Sequence, residues 1–291
     1  MTETAPRSTS AAFRSTATEP LGRPKKAIVI AAGKGRRLMP HTDTMPKCLV
    51  PVGDRPLIRW AIDAFRAHGV TEIVLIRGYL GRVLEARRSE LGDGLTVRFV
   101  DNPDYERNNI LESLFCAEAE FDGPLLLTYS DIVFTKDVVG RLMASPGDIA
   151  LVIDRGFAEV YQGRTDHPLD EAEVSDLDSS GHVRRVGKRA LPAREAWGEF
   201  IGLARLSAQG TRWLVDAWRE LCAEYRGREH RPFQRAAHFR DAYLTDILQH
   251  LIDAGRPVTP VEIHGSWREI DTVQDLSRAR ELLRCPEEEW K

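Results

Sequence analysis

From Lys25 onward, apolar residues follow two alternating rhythms. Near-continuous apolar runs at Ala27–Ala31, "TEIVLI", "LTVRFV" and "PLLLTYS" read as strands covered on both faces. Between them, apolar positions recur at helical spacing. "PLIRWAIDAFRAHG" is an amphipathic helix with Pro56 in its first turn and Gly69 as its stop, and Leu80–Glu90 and Ile110–Ala119 follow the same pattern. "DIALVID" continues the strands. After Asp154 the texture turns polar, with short strand-like pieces "HVRRVG" and "EFIGLARL" inside or at the end of residues 155–200. Long amphipathic helices near Ala208–Tyr225 and Asp241–Ala254, a strand at Pro257–Ile263 and "WREIDTVQDLSRARELL" complete the chain.

Strands alternating with helices predict an α/β class protein: a Rossmann-like, mostly parallel sheet with helices on both faces. Residues 155–200 form a polar, lid-like insertion in this reading, and residues 25–291 form a single domain. Residues 1–24 are rich in Ser, Thr, Ala, Pro and Arg without an apolar stretch, so a disordered tail is expected rather than a signal peptide.

Composition narrows the function classes. A net charge of −3 and a pI near 6.3 give no global basic field for nucleic acid or an anionic membrane. No apolar run is long enough for a membrane helix. Cys48, Cys116, Cys222 and Cys285 have neither CxxC nor zinc spacing and read as reduced thiols, which suits the cytoplasm. A homodimer is compatible with the sequence and not fixed by it.

The chemistry concentrates in "IVIAAGKGRRLMPHTDTMPKCLVPV", Ile28 to Val52. A strand running into a glycine-rich, basic loop points to phosphate. The Walker pattern GxxxxGK[ST] is absent, and the dinucleotide fingerprint fails at Leu38, where a third glycine belongs. What remains, "AAGKGRRLMP", "MPKCLVPV" and "RPLIRWAI", resembles the nucleotidyltransferase superfamily that makes nucleoside-diphosphate sugars and CDP-alcohols. That family commonly has Thr or Ser at the position of Arg36 and Lys at that of Arg55. The resemblance implies the fold of the nucleotide-diphospho-sugar transferases and nucleotide contacts from Ala31, Ala32, Gly33, Lys34, Gly35 and Arg36. Elementary chemistry agrees. Gly33 and Gly35 let backbone amides approach a triphosphate, Arg37 offers a planar fork, and Lys47 is a compact charge for the α-phosphate. Solvated turn cations would explain Lys34 and Arg36 more readily than Lys47, which lies between apolar runs.

Nucleotidyl transfer calls for a divalent cation, and Mg²⁺ is expected. Asp131 ends an apolar strand, next to Ser130, at the sheet edge where α/β proteins bind ligands. Asp271 precedes a helix and could be its N-cap. In the family resembled, a late "E-I-D-T/S" aspartate joins the one after the fourth strand on the metal, so both are carried over.

"DYERNNILESLFCA" resembles the cytidylyltransferase branch, implying CTP and a role for Asn109. The same Asn109, with Glu112 three residues on, could simply be a capping box. "YQGRTDHPLDEAEV", "RRVGKRALP" and "GEFIGLARLS" resemble enzymes that load CMP onto phosphocholine or phosphonates, the phosphonate members most in "GRTDHP". On that resemblance Arg164 and His167 hold an anionic acceptor, Lys188 meets its phosphorus group and Glu199 orients it. A choline reader wants an aromatic cage. The nearby aromatics Tyr129, Phe157, Tyr161 and Trp197 are few beside the arginines, which favours a phosphonate, one with a second anion included. The expected activity is transfer of CMP from CTP to a phosphonate or phosphomonoester with release of pyrophosphate. Its rivals are a sugar-1-phosphate nucleotidyltransferase, a catalytically inactive nucleotide-binding regulator and a dinucleotide-dependent oxidoreductase.

Overall fold

The computed structural model describes residues 22–284 and residue 290. The expected tail therefore lies, as far as residue 21, outside the described residues, as does Cys285. Nine strands build one sheet: β1 (Lys26–Ala31), β2 (Glu72–Arg77), β3 (Thr96–Asp101), β4 (Leu125–Tyr129), β5 (Ile149–Asp154), β6 (Glu173–Leu177), β7 (Val183–Lys188), β8 (Gly198–Leu206) and β9 (Val258–Ile263). Their order runs β7-β6-β8-β4-β1-β2-β3, with β5 also on β8 and β9 on β5. Only β7 and β8 run against the other strands, so the sheet is mostly parallel.

Period-two alternation sorts the core into two layers. Ile28, Ile30, Leu125 and Leu127 face one way, onto Leu214 of helix Ala208–Tyr225 and Leu248 of helix Leu244–Asp253. Ala27, Val29, Ile73 and Leu75 face the other, onto Ile58 and Phe65 of helix Leu57–Ala67. With both faces covered, these strands carry no polar alternation, and this is why they stand out in the sequence.

Several elements differ from expectation. The helix over Leu80–Glu90 is two short ones, Gly81–Ala86 and Arg88–Gly92, and that at Ile110 ends at Phe115. Helix Lys136–Ala144 is additional. Residues 155–200 do not lie over the sheet as a lid. They supply β6, β7 and the start of β8, so the polar segment is built into the sheet's antiparallel side.

Two pairings position the site. β1 and β4 are parallel neighbours, with Ile30 level with Tyr129, so the loops after Ala31 and Tyr129 leave the same edge side by side. A short ribbon then pairs Ile132–Phe134 with Trp267–Glu269, and the amide of Ile270 donates to Asp131 O at 2.8 Å. Residues 131 and 271, distant in sequence, thereby become neighbours. Among the described residues no helix is long and apolar enough to cross a membrane.

Candidate active site

The glycine loop does two different jobs. Gly35 has φ 58°, and a Cβ there would fall 2.9 Å from Lys47 Cβ, so the fold itself requires glycine. The Thr42 hydroxyl donates to Gly35 O at 3.0 Å and closes the loop. At Gly33 a Cβ would meet no atom within 4 Å. Nothing in the protein demands glycine at that position; a ligand lying on the backbone would.

Lys47 sits in a short 3-10 turn, Lys47–Leu49, and is buried. Its Nζ donates to Asp131 Oδ2 and to Asp271 Oδ1, each at 2.7 Å. Burial alone would lower its pKa, but the two carboxylates override burial and hold the ammonium above its ordinary value. Asp271 also meets the Arg37 guanidinium, and His167 Nδ1 lies 3.4 Å from it. Burial would raise the Asp271 carboxyl, yet Lys47, His167 and Arg37 hold it well below the usual carboxylate range. Asp131 Oδ1 is buried without a hydrogen-bond partner among the described residues.

Asp271 is not the cap of helix Val273–Arg284. Thr272 Oγ1 accepts the Asp275 amide at 3.1 Å, and Asp275 Oδ2 accepts the Thr272 amide at 2.9 Å. That reciprocal box leaves the Asp271 carboxylate to the site. The capping box, the alternative reading of Asn109, does not form either. Its side-chain amide donates instead to Asp241 O at 2.8 Å, tying helix Ile110–Phe115 to a distant turn.

A cavity of about 390 Å³ opens over Lys47. Of the residues singled out in the sequence, Ala31, Gly33, Gly35, Arg36, Arg37, Asn109, Ser130, Asp131, His167, Lys188, Glu199 and Asp271 line it with Lys47. Ala32 and Lys34 are not in the lining; Lys34 pairs with Glu106 at 2.5 Å.

Arg164 requires a correction, because it does not face the cavity as an acceptor contact. Its side chain is 3% exposed, with Nε 2.6 Å from Asp275 Oδ1 and Nη2 3.0 Å from Asp275 Oδ2 and 2.8 Å from Glu269 Oε2. It stacks over Tyr161 and reaches His167 Nδ1 at 3.0 Å. Arg164 thus braces the floor of the site. It also engages two members of the cluster His167, Glu269 and Asp271, whose ligand atoms lie within 4.8 Å of one another, which argues against a separate metal centre there.

The aromatic count also changes. Tyr129, Tyr161, Phe200, Tyr243 and Trp267 line the cavity, whereas Phe157 and Trp197 do not. The scarcity of aromatics therefore does not count against choline, and with Arg164 turned away the case for a second acceptor anion weakens. The sequence reading missed Glu269, Glu171, Glu173 and Tyr243. Glu269 had a signal: it is an acid two positions before Asp271, at the end of the short strand Trp267–Glu269. Glu173 accepts from the hydroxyls of Tyr129 and Thr245. Burial pushes its pKa up to about 7 against the pull of Lys188 and those hydroxyls.

Residues 27–258 match the MobA-like NTP transferase domain. The chain belongs to this family. A NTP transferase of this kind is an enzyme of the nucleotidyltransferase class, which removes the oxidoreductase and inactive-regulator alternatives. It is 32% identical over 86% of its length to the CTP:phosphoglutamine cytidylyltransferase of Campylobacter jejuni, covering 97% of that protein. It is 29% identical over 86% of its length to the 2-aminoethylphosphonate cytidylyltransferase of Lancefieldella rimae, covering 90% of it. The CTP:phosphocholine cytidylyltransferase structure from Streptococcus pneumoniae shares the fold, with a TM-score of 0.64 at 23% identity over 90% of this chain and 99% of that one.

Proposed function

We propose that this NTP transferase moves CMP from CTP to a phosphonate or phosphate oxygen of a small acceptor and releases pyrophosphate. The observation that carries the reading is Lys47 held charged between Asp131 and Asp271 beneath a loop where only a ligand requires Gly33. Cytosine and a phosphorus-bearing acceptor rest on the relatives and on the "NNILESL" stretch.

Asp131 and Asp271 suit Mg²⁺, because they are hard oxygen donors that both reach Lys47 Nζ and Asp131 Oδ1 has no partner among the described residues. Bound there, the ion would supply neutralisation of triphosphate charge. The chain's own residues do the rest. Gly33 admits the phosphates to the backbone, and Arg37 grips terminal oxygens. Lys47 stabilises the charge that shifts onto the α-phosphate oxygens. An acceptor oxygen bonds to the α-phosphorus as the bond to the pyrophosphate oxygen breaks. An ionised acceptor needs no base, so positioning and charge carry the step. The test is pyrophosphate release with separate nucleotides. Turnover confined to UTP or dTTP with sugar 1-phosphates would favour the sugar-nucleotide reading instead.

A further inference from the structure

Cationic side chains already hold three of the four carboxylate oxygens of Asp131 and Asp271. Lys47 Nζ donates to Asp131 Oδ2 and to Asp271 Oδ1, each at 2.7 Å, and Arg37 Nη2 takes Asp271 Oδ2. The fourth, Asp131 Oδ1, is buried and has no hydrogen-bond partner among the described residues. Two carboxylates thus meet two cations, and the formal charges of the four side chains cancel.

A divalent ion would claim the same oxygens that the Lys47 ammonium bridges. Like charges competing for one oxygen pair repel, and the side chain of Asp271 is only 12% exposed, so water and salt screen the repulsion little. One open oxygen is also a poor site for an ion that prefers six oxygen ligands, about two of them carboxylate.

The cations have a second use, however. Lys47 and Arg37 both line the cavity beside Gly33, where the reading above has them grip phosphate oxygens. A triphosphate gives both of them new oxygens at once, and the carboxylates they leave become available. Lys34 makes the contrast: it belongs to the same glycine loop but pairs with Glu106 and with neither aspartate.

We propose that Lys47 and Arg37 are exchangeable counter-ions that close Asp131 and Asp271 to a free divalent cation, and that the nucleotide's triphosphate opens the pair by drawing both cations onto itself. Metal and nucleotide then enter together, each raising the affinity of the other by the same factor. The proposal rests on the transferase reading for the identity of both ligands.

The test is Mn²⁺ binding without nucleotide, followed by paramagnetic resonance on the full chain. It compares wild type with Lys47→Met, Arg37→Met and Lys34→Met, changes that remove a charge and keep much of the side-chain length. Lys47→Met should bind Mn²⁺ at least about tenfold more tightly than wild type, since the competing charge is gone. Arg37→Met, which removes a half-exposed side chain, should gain at least about threefold, and Lys34→Met should match wild type. Mg²⁺ should raise the Tm of Lys47→Met more than that of wild type at equal concentration. Circular dichroism reports the fold, and if Lys47→Met does not fold, Arg37→Met against Lys34→Met decides.

A folded Lys47→Met that binds Mn²⁺ no more tightly than wild type overturns the exchange, as does an equal gain in Lys34→Met. A gain in Lys47→Met without one in Arg37→Met overturns the part given to Arg37. Pyrophosphate release by wild type with CTP would leave the transferase reading standing in each case. Gains in Lys47→Met and Arg37→Met alone, with a wild type that releases no pyrophosphate from any nucleotide, uphold the exchange and sink the transferase reading.

Discussion

Thr272 and Asp275 cap helix Val273–Arg284 by reciprocal hydrogen bonds of 3.1 and 2.9 Å, and the carboxylate of Asp271 just before them is left free. That carboxylate faces Lys47 and Arg37 instead. Asp271→Asn should therefore keep the helix and raise the Mg²⁺ requirement. Asp131→Asn should do the same, and the double change should be non-additive because both act on one ion. Mn²⁺ binding followed by paramagnetic resonance checks this apart from turnover. Unaltered metal affinity in Asp271→Asn removes it from the metal site.

Arg164→Ala should destabilise the fold by about 3–5 kcal/mol, since it strands the buried Asp275 and the half-buried Glu269. Arg164→Lys should rescue little, because a single ammonium cannot span both oxygens of Asp275. Urea melts decide. A variant with wild-type stability and only a raised acceptor KM would return Arg164 to the acceptor.

Glycine substitutions should part company. Gly35→Ala adds a left-handed alanine and a 2.9 Å approach to Lys47, and should cost about 1–3 kcal/mol. Gly33→Ala meets nothing in the protein, so it should melt like wild type while the KM for CTP rises by about tenfold or more. Equal effects of both on stability contradict a ligand-directed role for Gly33.

Much of this was legible because it is local. Strands buried on both faces show as unbroken apolar runs, and the phosphate loop lies within a single stretch from Ile28 to Lys47. Helix Ala208–Tyr225 appears with the boundaries its spacing implies, closed at its start by the Ser207 hydroxyl. What the sequence hid depends on distant partners. Arg164 looks like an acceptor contact until Asp275 is known to lie against it, and Asn109 looks like a nucleotide contact or a cap until Asp241 is known to accept its amide. β6 carries charged side chains such as Glu173 and Asp176, and so it reads as loop although hydrogen bonds place it in the sheet, whereas β7 lies where "HVRRVG" already reads as strand-like.

Glu173 supplies a pH signature. Its carboxyl titrates near 4.5 when exposed and at about 7 in the fold, so the native state binds the extra proton between those values. Stability from this group is fully present below about pH 4.5 and lost as pH rises to about 7, with no further change above. Glu173→Gln should remove the slope and be more stable than wild type at pH 8 by about 3 kcal/mol, given 1.36 kcal/mol per unit. Subtracting variant from wild-type melts at pH 5 and pH 8 isolates it from Asp271 and Asp275, whose depressed pKa values act in the opposite sense. A flat difference contradicts the raised pKa.

The most direct measurement is pyrophosphate release from CTP, UTP, dTTP and GTP at equal concentrations. It uses Mg²⁺, a panel of small phosphonates and phosphomonoesters, wild type and Lys47→Ala. CTP should turn over with at least one such acceptor, well ahead of the other nucleotides. Lys47→Ala should lose about 10²-fold or more with its fold intact, because the charge beside the α-phosphate is gone. Comparable rates with UTP or GTP, or near-normal turnover by Lys47→Ala, would contradict a cytidylyltransferase built around Lys47.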